Sequence, residues 1–448
     1  MKKKTTYTLA LLSAITVALT ACGGGGGSTA SPGTDNKTDG KAVQQTPDTQ
    51  KPAELSIYLG SMTKKELDEV YAPLIKEKFP NYTLIGVESS NKIGDLLAAG
   101  NVPDIIVGTK GTIPLSLQEF GIDQDISDLV KTSKFDLSRI EPAYLDQMKY
   151  YTNGKIIGIP INGPAFALHY NKTLFDKFGV AYPKDGMTWD DTYEIAKKLT
   201  RNEGGIQYRG YSERWHQMFM EFNQFSLPYL DAKEDKAAVN TDQWKTLING
   251  FVRFYKLPGL KFDSKTGYTE EDLKVFATGT SGMQIFGQPD QFKTFDWDIV
   301  SVPTFKEKPN GNLWGSARFF FITNTSKNKE AAMNVSAFIT SDEAQLKLSR
   351  KGYAPSLAKI SDEMKTVFQQ DGLNYKGKHV TSFFYNKPAS EPPARAPGLV
   401  NFTKAQAIMI AEVQKMFTDG IEVDVNTALR NAEELINKGI AEQKATKK

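Results

Sequence analysis

The sequence predicts an α/β fold organised on a parallel sheet. Three observations carry this reading. Short apolar β runs alternate with amphipathic helical stretches from residue 55 to 107. The run Val102-Pro-Asp-Ile-Ile-Val107 is apolar enough to be buried on both faces, as strands of a parallel sheet are. Helix start signals recur further along the chain, with Thr188 and Ser341 placed just before helical periodicity.

Taken in order, Leu55-Ser-Ile-Tyr-Leu59 reads as the first strand, and Gly60-Ser61 as a turn. Leu67, Val70, Tyr71, Leu74 and Ile75 then recur at helical spacing, predicting a helix over 64–78 that Pro80 stops. Residues 82–87 predict a second strand, 91–99 a short helix and 102–107 a third strand. Residues 156–161 are a further β run, followed by helices over 173–178 and 189–199. Thr188 caps the latter, with Asp191 in the capping-box position. Strands follow over 298–302 and 319–323, then a helix over 329–340 and another capped by Ser341. The last helix carries Val425, Ala428, Leu429, Ala432, Leu435 and Ile436 on one stripe. Trp189, Trp244 and Trp297 read as core. No internal repeat is visible.

The 448 residues suffice for two or three domains, or two lobes sharing one chain. With 40% hydrophobic and 24% charged residues the composition is globular. A net charge of +3, spread over the chain, argues against a nucleic-acid partner, which selects a concentrated basic face. Lys2, Lys3 and Lys4 precede an apolar stretch over 8–19, the pattern of a signal peptide over residues 1–22. That stretch is shorter than a membrane span. It ends in Leu19-Thr-Ala-Cys22, which resembles a bacterial lipobox, and Cys22 is the only cysteine. A lipid on Cys22 would anchor the protein without a transmembrane helix. An ordinary signal peptide with an incidental cysteine is the alternative. Residues 23–53, Gly-rich and then polar, cannot bury enough apolar surface to fold and read as a flexible tether.

Six segments, in order, resemble the family 1 extracellular solute-binding proteins, the group that includes maltose-binding proteins. They are Pro103-Asp-Ile-Ile106; Asn153-Gly-Lys-Ile-Ile-Gly-Ile-Pro160 with Tyr170 to Gly179; Met187-Thr-Trp-Asp-Asp191; Phe276-Ala-Thr-Gly-Thr-Ser-Gly-Met283; Val302-Pro-Thr-Phe305; and Ser326 to Met333 through Gly352-Tyr-Ala-Pro355. The resemblance implies a two-lobed periplasmic-binding-protein type II fold with hinge strands and a cleft between lobes. One lobe is expected at 55–162 and 305–350, the other at 163–302 and 351–448. It further implies a monomeric receptor on the extracytoplasmic face of the cell membrane. Such a receptor captures a small-molecule solute, in this reading a carbohydrate, by hinge closure and hands it to the permease subunits of an ABC importer. No cofactor or metal is expected.

Sugar recognition calls for flat apolar surfaces against C–H faces and forked polar groups for hydroxyls. Ligand-binding candidates at the family's cleft loops are Ser61, Thr109, Lys110, Asn162, Phe166, Trp215, Phe286, Gln288, Trp314, Arg318 and Tyr353. Each has a structural alternative: Ser61 a turn, Lys110 a solvated loop lysine, Asn162 and Phe166 packing at a crossing, Trp215 a core helix end. Lys110 and Arg318 would suit an acidic oligosaccharide through charge-assisted hydrogen bonds.

Enzyme constellations are missing from the sequence. There is no G-x-S-x-G, no H-E-x-x-H and no G-x-x-x-x-G-K-[ST], and His169, His216 and His379 stand apart. A glycosidase built from two distant carboxylates, or a receptor of the same fold for a non-sugar solute or for signalling, is the remaining alternative.

Overall fold

The first sheet gathers strands from both ends of a long stretch of chain. In the computed structural model, residues 51–214, 223–260, 270–372, 374–418 and 420–446 are described. Strands β1 (Ala53–Leu59), β2 (Tyr82–Glu88), β3 (Ile105–Gly108) and β4 (Gly158–Asn162) precede β5 (Leu168–Asn171), the hairpin β6 (Arg201–Glu203) and β7 (Ile206–Tyr208), β8 (Met283–Gln284), β9 (Trp297–Val300) and β10 (Arg318–Ile322). The first sheet has the order β2-β1-β3-β10-β4. β1 runs parallel to β2 and β3, with Ile57 opposite Ile105 and Leu59 opposite Val107. β10 enters antiparallel between β3 and β4, so the sheet is mixed rather than wholly parallel. Phe319, Phe320 and Phe321 of β10 are buried, as a central strand covered on both faces requires.

The Pro103-Asp-Ile-Ile106 segment has a structural reason. The Asp104 carboxylate accepts from Ser56 N at 3.0 Å and Ser326 Oγ at 2.6 Å, and Thr323 Oγ1 donates to Pro103 O at 2.7 Å. One aspartate thus ties β1 to the chain leaving β10. Charge-assisted bonds to a buried carboxylate are among the stronger hydrogen bonds.

The second sheet, β8-β5-β9, is antiparallel. Its core holds Trp189, Trp244, Phe251, Phe254, Val302, Leu313, Met409, Leu429 and Ile436, among others. The first sheet's core draws on residues 55–161 and 317–348. Trp297 belongs to a smaller cluster with Phe276, Phe292 and Tyr375.

The helix over 64–78 forms with a π-helical turn at Leu67–Tyr71 inside it. Thr63 and Glu66 close a capping box at its start. Thr188 caps Trp189–Leu199 with Asp191 as predicted, and Ser341 caps Asp342–Arg350. The C-terminal helix Val425–Thr446 buries Ala428, Leu429, Ala432, Ile436 and Ile440. Leu435 is 44% exposed and lies off the stripe assigned to it, because burial advances by three and four residues from Ala428 through Ile436 to Ile440. The hairpin β6–β7 turns at Gly204 and Gly205, both at positive φ, which glycine tolerates without a Cβ clash.

Segments joining the two sheets are held by three glutamines, each at most 1% exposed. Gln147 donates to Gly315 O at 2.7 Å and accepts from Ala317 N at 2.9 Å. Gln224 accepts from Trp189 Nε1 and donates to Pro303 O and Gly311 O at 2.9 and 2.7 Å. Gln345 donates to Ile161 O and Ile339 O and accepts from Ser356 N. Gly163 N also donates to Ala354 O at 2.9 Å, which pairs the segments at 163 and 354 directly. Buried amides carry donors and an acceptor on one short fork, so a single side chain satisfies several backbone groups where no regular ladder exists.

Candidate functional site

The first sheet's topology brings distant loops to one edge. β1, β3 and β4 end there, and the antiparallel β10 begins there. Ser61, Thr109, Lys110, Asn162, Trp314 and Arg318 are therefore neighbours on this edge, the side of an open α/β sheet where ligands bind. Ser61 N donates to Val107 O at 3.0 Å, and a Cβ on Gly60 would sit 2.8 Å from the same carbonyl, so the turn hugs the strand end. The Ser61 hydroxyl and the Asn162 Oδ1 are buried without a hydrogen-bond partner among the described residues. Thr109 N donates to Thr112 Oγ1 at 3.1 Å.

Both cations on this edge already face a carboxylate of the chain. Lys110 pairs with Glu391 at 2.7 Å, the two side chains being 12% and 5% exposed. The Lys110 ammonium also lies 3.7 Å from the centroid of the Trp314 ring, a close cation–π contact. Trp314 Nε1 donates to the same Glu391 Oε1 at 3.0 Å. Burial lowers the Lys110 pKa, and Glu391 opposes that shift. Arg318, opposite Asn162 in the register, pairs with Glu66. Tyr353 approaches from the third crossing, its ring 5.6 Å from that of Tyr71 and nearly perpendicular to it. Burial, then the Glu66 charge, raise the Tyr353 pKa.

The second sheet contributes aromatics. Phe166 precedes β5 and Phe286 follows β8, and their antiparallel pairing sets the rings 5.6 Å apart, edge to face. The Glu213 carboxylate, 1% exposed, accepts from Ile285 N at 3.1 Å and Phe286 N at 3.0 Å and so fixes this turn. A Cβ on Gly315 would lie 2.6 Å from Phe166 and from Pro164, so the backbone beside Trp314 rests on Phe166. The Phe166–Phe286 pair of the second sheet thus lies against the 314–315 turn that leads into β10.

Gln288 stands apart from this cluster: it is exposed and accepts from Gln291. Trp215 and Cys22 lie outside the described residues. Glu391, Glu213, Glu66, Tyr150 and Tyr151 were not picked out from the sequence. Burial and then the Glu391 charge push the Tyr151 hydroxyl up to about 12, and the same two causes raise Tyr150. An acidic residue inside the Pro-rich run Ser390-Glu-Pro-Pro-Ala-Arg-Ala-Pro397 is the one sequence signal that points here, since long irregular segments in a compact fold are commonly functional.

Aromatic rings and buried oxygens gathered at one sheet edge suit a ligand that presents C–H surfaces and hydroxyl donors. A family model for the bacterial extracellular solute-binding proteins matches residues 65–346. The chain belongs to this family. The solute-binding protein is 26% identical over 331 residues to the sn-glycerol-3-phosphate-binding periplasmic protein UgpB of Brucella melitensis, covering 69% of this chain and 72% of that one. In structure it is similar to the ABC substrate-binding protein Lmo0181 from Listeria monocytogenes in complex with cycloalternan, with TM-score 0.63, 22% identity and coverage of 87% and 100%. It is similar also to the sugar-binding protein MalE from Xanthomonas citri, with TM-score 0.66, 14% identity and coverage of 88% and 98%. The fold is the two-lobed one of these solute-binding proteins.

Proposed function

We propose that this solute-binding protein is the receptor of an ABC importer, held by a lipid on Cys22 at the outer face of the cell membrane, and that its solute is a carbohydrate. The lobes run over 55–162 with 305–350 and over 163–302 with 351–448, except that Phe305 and Leu313 pack in the second core, and the solute lies between them. The observation that carries the reading is that the paired Phe166 and Phe286 rings lie against the 314–315 turn, while Trp314 shares one sheet edge with Ser61 and Asn162, whose hydroxyl and amide oxygen are buried with no hydrogen-bond partner among the described residues. Stacking rings and hydrogen-bond groups waiting for hydroxyl partners are what a sugar uses. Similarity to proteins named for cycloalternan and sugar binding supports the same solute class. A solute that touches both lobes favours the closed arrangement by its differential affinity for it, and the permease reads that arrangement.

Thermal-shift measurements on the full chain against neutral sugars, acidic oligosaccharides, peptides and polyamines test the solute class. A ligand at ~100 times its Kd adds ~2.7 kcal/mol of stability. A shift confined to carbohydrates, with the sugar recovered unchanged, supports the reading; a shift confined to peptides or polyamines overturns it. Cys22→Ser should release the protein from the membrane fraction, and retention would refute the anchor.

A further inference from the structure

Glu391 is distant in sequence from the strands of the first sheet, yet it meets two side chains of the proposed site. Its Oε1 accepts from both Lys110 and Trp314, on the first sheet's edge. Its Oε2 is buried with no hydrogen-bond partner among the described residues. A buried carboxylate oxygen without a donor is costly, and such an atom in a binding site calls for one from the ligand.

The segment carrying Glu391 is fastened on both sides. Before it, Asn386 Nδ2 donates to Val302 O at 2.7 Å, and Lys387 exchanges backbone bonds with Asn310 and Asn312 at 2.9 and 2.8 Å. Ser226 Oγ donates to Ser390 O at 2.5 Å. After it, Arg395 Nε donates to Asp231 O at 3.0 Å and Ala396 N to Ala232 O at 2.7 Å. Moving Glu391 aside would break several of these bonds together. A solute therefore meets the carboxylate in place, with Lys110 already neutralised by it and Tyr150 and Tyr151 close by.

We infer that Glu391 is a specificity-determining residue of the binding site, accepting a hydroxyl of an uncharged polyhydroxylated solute at Oε2 and disfavouring anionic solutes such as uronates and phosphate esters. The inference rests on the carbohydrate reading above and narrows it. An anion brings no hydroxyl proton from its charged group and faces repulsion from the carboxylate, whereas a neutral sugar hydroxyl donates to it. Lys110 and Trp314 orient Glu391.

Isothermal titration of the full chain with maltotriose, cellotriose, trigalacturonate and sn-glycerol-3-phosphate tests this. The expected result is that a neutral probe binds at least about 10-fold more tightly than either anion, since unpaired polar groups discriminate strongly. Glu391→Gln, which puts an N–H donor where the free acceptor stands, should weaken that neutral binding by about 10- to 100-fold. It should also narrow the gap to the anions, because Lys110 then lacks a counter-charge. Neutral binding unchanged in E391Q, with its circular dichroism and melting curve as in the parent, overturns the role of Glu391 and leaves the carbohydrate reading standing. A preference of the unaltered chain for an anion overturns the inference with no variant needed. Absence of binding by all four probes counts against both readings.

Discussion

Replacing Gln345 by leucine should loosen the crossing segments without changing the shape of the core much. Gln345 is 1% exposed and makes three hydrogen bonds, to Ile161 O at 2.9 Å, to Ile339 O at 2.7 Å and from Ser356 N at 2.9 Å. Leucine has a similar volume, so the cavity contribution is small, and its extra apolar burial offsets roughly 1 kcal/mol. Two carbonyls and one N–H lose this partner in the interior. At about 1–3 kcal/mol for each buried group left unsatisfied, less that offset, the net loss is about 2–8 kcal/mol. The folded unit Pro47–Lys448 is large, and an unfolding entropy of about 2.1 cal/mol/K per residue sums to about 0.8 kcal/mol/K. The melting midpoint should therefore fall by about 2–10 °C. Gln370→Leu is the control: its amide donates to Thr366 O on the surface, and the midpoint should move by less than about 1 °C. Scanning calorimetry of the parent and both variants reads the effect. A Gln345→Leu midpoint within about 1 °C of the parent would refute the argument that this one amide ties Ile161, Ile339 and Ser356 together.

Further outcomes follow from other buried groups. His169 faces Ile285 O and the Tyr375 hydroxyl, and burial lowers its pKa from 6.5 to about 4. The unfolded chain therefore binds its proton more readily, and stability of the order of 3 kcal/mol, fully present above pH 6.5, is lost as pH falls towards 4; urea midpoints at pH 7.5 and 4.5 should converge in His169→Gln relative to the parent. Glu213→Ala leaves Ile285 N and Phe286 N without their acceptor, so stability should drop by about 2–4 kcal/mol and solute affinity should weaken as Phe286 loses its place, read by urea melts and titration. Thr188→Ala removes the capping box at Trp189–Leu199 and should cost about 1 kcal/mol in a urea melt, with solute affinity unchanged. Trp314→Ala should lower solute affinity by about 10-fold or more in titration, through loss of a stacking ring and of the group that orients Glu391.

Elements whose signals lie within a few residues were legible in the chain. Thr188 and Asp191 cap a helix from neighbouring positions, the apolar run 319–323 is a strand wherever it pairs, and Trp189 and Trp244 are wholly buried as their settings imply. The same holds for the strand ends that carry Ser61, Lys110 and Asn162, because an open sheet concentrates its loops on one edge. Tertiary structure alone decided what those loops hold. β10 returns between β3 and β4 from more than 150 residues away, and only that insertion sets Arg318 beside Asn162 and Trp314 above Lys110. Glu391 meets Lys110 across 281 residues, and Gln147, Gln224 and Gln345 bridge segments that no local pattern joins. Propensity and capping act over one helical turn or one strand, whereas the partner of a buried charge or amide depends on where the whole chain comes back, and that is settled by packing.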